Sequence, residues 1–308
     1  MKRETLRMII PHVLLAVLSA IVLTAPKAKV NVHGPWAMMT AVGIIEALFI
    51  FFALRNRKRS GTFGSGPSDI VSIVWLFMIV WEIFTSVLDL AHPVLVPAPE
   101  NVFYVFADQW KTILLNISYS MRLLIGGMAL GLGGAIILGL FCGWNKRLKA
   151  FSYPIANVLA PIPAIVISPY LVAIMPTFRS ASLVVVFLGV FWPQFLGIIN
   201  RISAIEPEIL DSARMMKLSQ PVMLFRIILP YIIPGILTGL KVTMTTSVLM
   251  LNFAELMGVT HGMGYYIQNS IVYANYTRAV AGIIVIGVVV TILGGIVGWI
   301  QKRFIKWH

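Results

Sequence analysis

Arg201 to Gly235, RISAIEPEILDSARMMKLSQPVMLFRIILPYIIPG, is the most polar stretch between two long apolar runs, and the rest of the chain is arranged around it. It carries Glu206, Glu208, Asp211, Arg214, Lys217 and Arg226, while its apolar residues recur at helical spacing. That pattern is a short amphipathic helix outside a bilayer core. Pro207 follows Glu206 near the start of a turn, where a helix tolerates a missing N–H. Ser219-Gln220-Pro221 reads as the cap and first turn of a second helix, running through Val222, Phe225 and Ile228 to Pro230. Two short helices meeting between Lys217 and Ser219 form a knob that a soluble partner can grip.

The flanking runs define the class. The 308 residues are 59 % hydrophobic and 11 % charged, with a mean hydropathy of +0.91. A soluble domain carries about 25 % charged residues, so this is an all-α polytopic membrane protein. About eight spans are predicted: 8–24, 36–54, 70–88, 113–142, 151–174, 183–200, 236–257 and 279–300. The basic start Lys2, Arg3 and Arg7 imitates a signal peptide, but Ala25-Pro-Lys-Ala-Lys is a poor cleavage site, and the first span is read as retained. Residues 1–60 form an N-terminal hairpin, 61–69 a flexible linker, and 70–308 the main body with its loop at 201–235. Asn101 to Lys111, aromatic and sparsely charged, suits a helix lying at the interface.

The formal charge of +13 is topological and not a nucleic-acid footprint, because the cations lie at span ends. With the N-terminus inside, 17 Lys and Arg fall in cytoplasmic segments and five in outer loops. This orients both termini and the knob toward the cytoplasm. The single cysteine, Cys142, beside Gly143, is a small packing residue.

Two spans have marked patterns. In the fourth, Gly127, Gly131, Ala135, Gly139 and Gly143 recur every four residues and line one face with small side chains, so another helix can approach closely. In the fifth, Pro154, Pro161, Pro163 and Pro169 require a kink or a break. Broken helices in bilayers are tolerated where they are buried in protein or line a cavity, which makes Pro161 and Pro163 candidates for a translocation path.

Charges inside spans need a reason. Lys241 can snorkel to the cytoplasmic side. Glu255, 19 residues beyond Ile236, lies roughly 28 Å further along and near the outer face. It reads either as an interfacial acid with a basic partner or as a gate or pathway residue. Arg122 reads either as a group for an anionic solute or as the partner of Glu255. Thr245, Thr246 and Asn252 belong to a hydroxyl-rich middle of the seventh span that can glue helices or face a polar solute. Glu46 and Glu82 lie inside spans and have no partner evident from sequence. No Walker loop G-x-x-x-x-G-K-[ST] occurs, so this chain does not itself hydrolyse ATP. Scattered His12, His33, His92, His261 and His308 offer no metal-ligand spacing.

Asp211-Ser212-Ala213, three residues, Lys217, nine residues, and Ile227-Ile228-Leu229-Pro230 follow the spacing of the EAA loop of ATP-binding cassette importer permeases. Pro161-Ile-Pro-Ala164, Pro234-Gly235-Ile-Leu-Thr-Gly-Leu-Lys241 and Ala254-Glu-Leu-Met-Gly258 resemble the nitrate, sulfonate, taurine and thiamine-precursor branch. Asp211, Ser212 and Lys217 depart from the family's Glu, Ala and turn-making Gly. The resemblance spans about 70–308 and implies a type I permease core, here with an extra N-terminal hairpin. It implies ATPase coupling through Glu206, Glu208, Asp211, Ser212, Ala213, Met216, Lys217, Ile227, Leu229 and Pro230, and a path along Arg122, Pro161, Pro163, Thr245, Thr246, Asn252 and Glu255. The implied partners are a cytoplasmic ATPase dimer that binds ATP and Mg, a second permease subunit, and an extracytoplasmic solute-binding protein. The implied solute is a small anion or a thiamine-precursor-like molecule, and the implied location is a bacterial inner membrane. The reading from another class is an ion-coupled secondary transporter or channel, for which Glu46, Glu82 and Glu255 are the candidates.

Overall fold

A computed structural model describes residues 2–27, 32–60, 65–92 and 94–304, and every regular element among them is helical. Residues 61–64 of the expected linker, and Lys29, Lys306 and His308, lie outside the described residues. The chain divides into two compact units, residues 1–113 with 269–283, and residues 114–268 with 284–308.

The first unit contains α1 (Lys2–Thr24), α2 (Trp36–Ser60), α3 (Ser65–Glu82) with a π-helical turn at Ile83–Val87, and α4 (Pro99–Asp108). Helix α3 begins within the stretch expected as linker. It packs on α1 and α2, and α4 packs on α2. Leu18, Val22, Met38, Val42, Trp75, Met78 and Ile79 form the core between them. The two acids that the sequence left unpartnered find partners here. Glu46 accepts the Trp75 indole N–H at 3.2 Å and lies against His12. Lys27 bridges Glu82 and Glu100, 2.5 Å from the latter, and the Ser86 hydroxyl lies 3.0 Å from Glu100 and 3.3 Å from Glu82. Burial lowers the Lys27 pKa, but hydrogen bonds and charge from Glu100 and Glu82 outweigh it, and the net shift is upward.

The second unit is built around α5 (Trp110–Trp144) and α8 (Phe178–Ser203). A β-carbon added at Gly127 would stand 2.7 Å from Val186, at Gly131 2.9 Å from Val190, at Gly139 2.9 Å from Ile198, and at Gly143 2.7 Å from Ile202. The four-residue repeat on α5 therefore meets a four-residue ridge of branched side chains on α8, with fully buried Ala135 in the same row. Lipid offers no hydrophobic drive for this contact. Close approach and van der Waals packing supply it.

Helices α6 (Lys146–Leu159) and α7 (Ala164–Ile174) meet at 94°, so the expected break falls at Pro161-Ile-Pro163. Both pack on α8. The knob follows: α9 (Pro207–Met215), then α10 (Gln220–Val222), a π-helical segment Met223–Ile228 and α11 (Leu229–Glu255). The sequence predicted a helix end at Pro230 and a fresh span from Ile236; instead helical structure is unbroken from Gln220 to Glu255. A proline ring clashes with the carbonyl four residues before it, here that of Arg226, and the wider π turn just upstream relieves the clash. Helices α12 (Met263–Val272) and α13 (Tyr276–Phe304) complete the chain.

Six helices among the described residues are long and apolar enough to cross a membrane, or seven with the bent α6–α7 pair. The apolar part of α1, Met8–Thr24, is shorter. The expected figure of about eight is reached only if α1 is included.

Candidate functional site

The knob folds because α9 has two faces. Ile205 and Ala213 join a core with Met223, Leu224 and Ile228, and Ile209 and Leu210 pack against it. Glu206, Glu208, Asp211, Ser212, Met216 and Lys217 are exposed. At the tip, Met215 is 81 % and Met216 69 % exposed, an apolar cap. Lys217 has φ of +49°, so the turn is made in the left-handed region that the family's Gly would occupy. A lysine side chain is strained in that region. Ile227 and Leu229 are partly buried on the knob core, and Pro230 is exposed.

Neighbouring elements brace the knob. The Trp144 indole N–H donates to Gln220 at 2.7 Å, and the Lys149 ammonium to the Ser203 hydroxyl at 2.6 Å. Arg201 lies across three glycines, Gly197, Gly235 and Gly239, and its Nη2 donates to the Gly235 carbonyl at 2.9 Å. It thus ties α8 to α11 at the root of the knob. Sequence reasoning counted Arg201 only as an inside charge. The signal available was the row of small residues facing it.

At the other end of α11, Glu255 is fully buried and has no cationic partner among the described residues. Its Oε1 accepts the Ser120 hydroxyl at 2.7 Å and its Oε2 accepts the Gly264 N–H at 2.9 Å. The Ser120 oxygen accepts the Met263 N–H at 2.9 Å, and Asn116 Oδ1 accepts the Gly262 N–H at 2.8 Å. Three consecutive N–H groups leading into α12 are therefore satisfied by three buried side chains. The expected pairing of Glu255 with Arg122 is not formed. Ser120 and Arg122 are two residues apart and so about 200° around α5, and with Ser120 turned to Glu255, Arg122 is exposed.

The remaining path candidates are distributed. Pro161 and Pro163 are exposed at the α6–α7 break, and Thr246 is exposed on α11. Thr245 donates to the Lys241 carbonyl, Thr246 to that of Val242, and the Asn252 amide to that of Val248, so each spends a donor on its own helix. Gln194, which the sequence reading passed over, donates to Thr243 at 2.7 Å and leaves a buried carbonyl oxygen without a partner among the described residues. Near Glu255, Arg179 lies over the Tyr119 ring at 5.9 Å, and His261 lies on the same ring at 5.8 Å. Among the described residues no group of three or more His, Cys, Asp or Glu could hold a metal ion.

Comparison with known proteins fits this geometry. The family model of the binding-protein-dependent transport system inner membrane component matches residues 135–306. A Bacillus subtilis protein named for aliphatic sulfonates transport, the permease SsuC, is 23 % identical over 254 residues, 82 % of this chain and 92 % of its own length. The taurine transport system permease protein TauC of Escherichia coli is 23 % identical over 262 residues, 82 % of this chain and 91 % of its own. The bicarbonate transport system permease protein CmpB of Synechococcus elongatus is 24 % identical over 249 residues, 75 % and 86 % of the two chains. Among solved structures, the inward-facing MetNI methionine ABC transporter shares the fold, with a TM-score of 0.50 and 17 % identity, over 65 % of this chain and 99 % of that one.

Proposed function

Since the chain belongs to the binding-protein-dependent transport system inner membrane components, a family of multi-pass permeases, we propose that it lines the path of an ATP-driven importer and is driven through the 201–235 knob. The observation that carries this reading is the knob itself: α9 and the turn after it present acids and two exposed methionines outward, and the partner helix continues without a break into α11. A helix pair of that build can sit in a groove of a cytoplasmic ATPase dimer, with ATP and Mg held by the ATPase and no cofactor in this chain. ATP-driven closure of that dimer biases a two-state equilibrium of the membrane helices. A second permease subunit and an extracytoplasmic solute-binding protein complete the assembly. The excess of Lys and Arg on the knob side supports cytoplasmic termini.

The solute we propose is a small anion. The names of SsuC, TauC and CmpB support this over the thiamine-precursor alternative. Exposed Arg122, Arg179 and His261, all in the second unit, make no ion pair with an acid among the described residues, which fits an anion. Arg122, the Pro161–Pro163 break, Thr245, Thr246 and Asn252 are the proposed path groups.

Asp211→Lys, or deletion of 206–212, tests the coupling. The expected result is normal membrane insertion with ATPase stimulation and uptake abolished. Unchanged coupled uptake would refute it.

A further inference from the structure

Helix α11 joins two places that the sequence treats separately. One end emerges from the knob and the other ends on Glu255, in a helical stretch of 36 residues from Gln220 that puts the two roughly 52 Å apart along the axis. At that far end Asn116, Ser120 and Glu255, each no more than 4 % exposed, hold the N–H groups of Gly262, Met263 and Gly264. The loop between α11 and α12 has a glycine in a positive-φ conformation near each end, Gly258 at +139° and Gly262 at +131°. A β-carbon at Gly262 would stand 2.6 Å from the Glu255 carboxylate oxygens, so only glycine lets the loop close over the acid. Val259 is buried beneath the loop, and on its outer side His261 lies on Tyr119.

We infer that Asn116, Ser120 and Glu255 form a latch that holds the α11–α12 loop shut, and that release of this latch is the far-end response to movement of the knob. This rests on the importer reading above. The two glycines supply the hinge, and the side chains supply the closed state. A buried carboxylate without a counter-cation is costly, and here part of its compensation, the Gly264 N–H, is present only while the loop is closed, whereas the Ser120 hydroxyl comes from α5. Lifting the start of α12 breaks the bonds of all three N–H groups, those of Gly262, Met263 and Gly264. Glu255 is a positioning residue in this scheme and does not touch the solute.

The test uses the tagged full-length chain with the partners that copurify from its native membrane, in a Cys142→Ser background carrying Val259→Cys as a buried reporter. A membrane-impermeant maleimide labels the reporter only when the loop lifts. In the parent, labelling is expected to be slow without nucleotide and at least tenfold faster with ATP and vanadate. Asn116→Ala and Glu255→Ala are expected to label at the fast rate without nucleotide, and Glu255→Gln, which can still accept the Gly264 N–H, to fall between. Membrane abundance equal to the parent separates a latch from a folding defect. If Glu255→Ala does not accumulate, Asn116→Ala, which leaves the acid in place, decides alone. Reporter protection unchanged in Asn116→Ala overturns the latch. A parent without any nucleotide response, alongside fast labelling in Asn116→Ala, overturns the link between latch and knob and leaves only the closed loop standing, while loss of ATP-dependent uptake by the same preparation is what would overturn the importer reading.

Discussion

Replacing Lys27 by Met should destabilise the first unit, and the size of the effect follows from burial. Glu82 and Glu100 have side chains that are 0 % and 1 % exposed, and Lys27, 25 % exposed, is their shared cation. Removing one partner of a buried pair costs about 3–5 kcal/mol because the other charge stays buried and unpaired. The lower end applies, since the Lys27 side chain is a quarter exposed and the site is not wholly closed to water. About 3 kcal/mol is on the order of a 100-fold change in the folded ratio and an apparent Tm drop of about 6 °C. Heating the tagged chain in mild detergent and measuring the monodisperse fraction by fluorescence-detected size exclusion reads this directly. The triple variant Lys27→Met, Glu82→Gln, Glu100→Gln should recover most of the loss, because neutral amides can share the Ser86 hydroxyl without a cation. The native Lys27 contribution has the sign of a raised pKa: full below the ordinary lysine value of about 10.4 and lost as pH rises through the higher folded value. A single variant melting within 1 °C of the parent at pH 8 would refute the reasoning.

Three further outcomes are expected. Gly131→Ala should cost about 1–3 kcal/mol, since its β-carbon meets Val190 at 2.9 Å and the Phe187 carbonyl at 3.0 Å, whereas Gly133→Ala, with nothing within 4 Å, should be neutral or stabilising by about 1 kcal/mol; thermal stability of the pair decides. Lys217→Gly should keep coupled ATPase activity and raise stability by about 1 kcal/mol by relieving the left-handed strain at +49°, while Lys217→Val should lose coupling. Gly235→Ala would put a β-carbon 2.9 Å from the Arg201 Nε, so uptake should fall at least tenfold at normal membrane abundance, and Arg201→Ala should reproduce the loss.

What could be read in advance was what depends on local periodicity. The α5 glycine row announced a close helix contact because the repeat matches one helical face, and the α6–α7 break was legible because Pro161 and Pro163 cannot both sit inside a straight helix. The knob was legible for the same reason, as an amphipathic segment between apolar runs. Pro230 misled, because the chain stays helical through it, with a π segment at Met223–Ile228 just before it. Glu255 was expected beside Arg122 on charge alone. The deciding fact was angular, with Ser120 and Asn116 on the buried face of α5 and Arg122 on another. The partners of Glu82 were hidden because Lys27 is 55 residues away from it and 73 from Glu100, and no spacing rule spans such a distance.

The most direct test of the central claim is to isolate the tagged chain from its native membrane in mild detergent, identify what accompanies it by mass, and assay ATP hydrolysis. The expected result is a stoichiometric Walker-bearing subunit whose ATPase activity is lost from the complex when residues 206–212 are deleted. A chain that purifies alone and still moves an anion under an ion gradient, without ATP, would contradict the account.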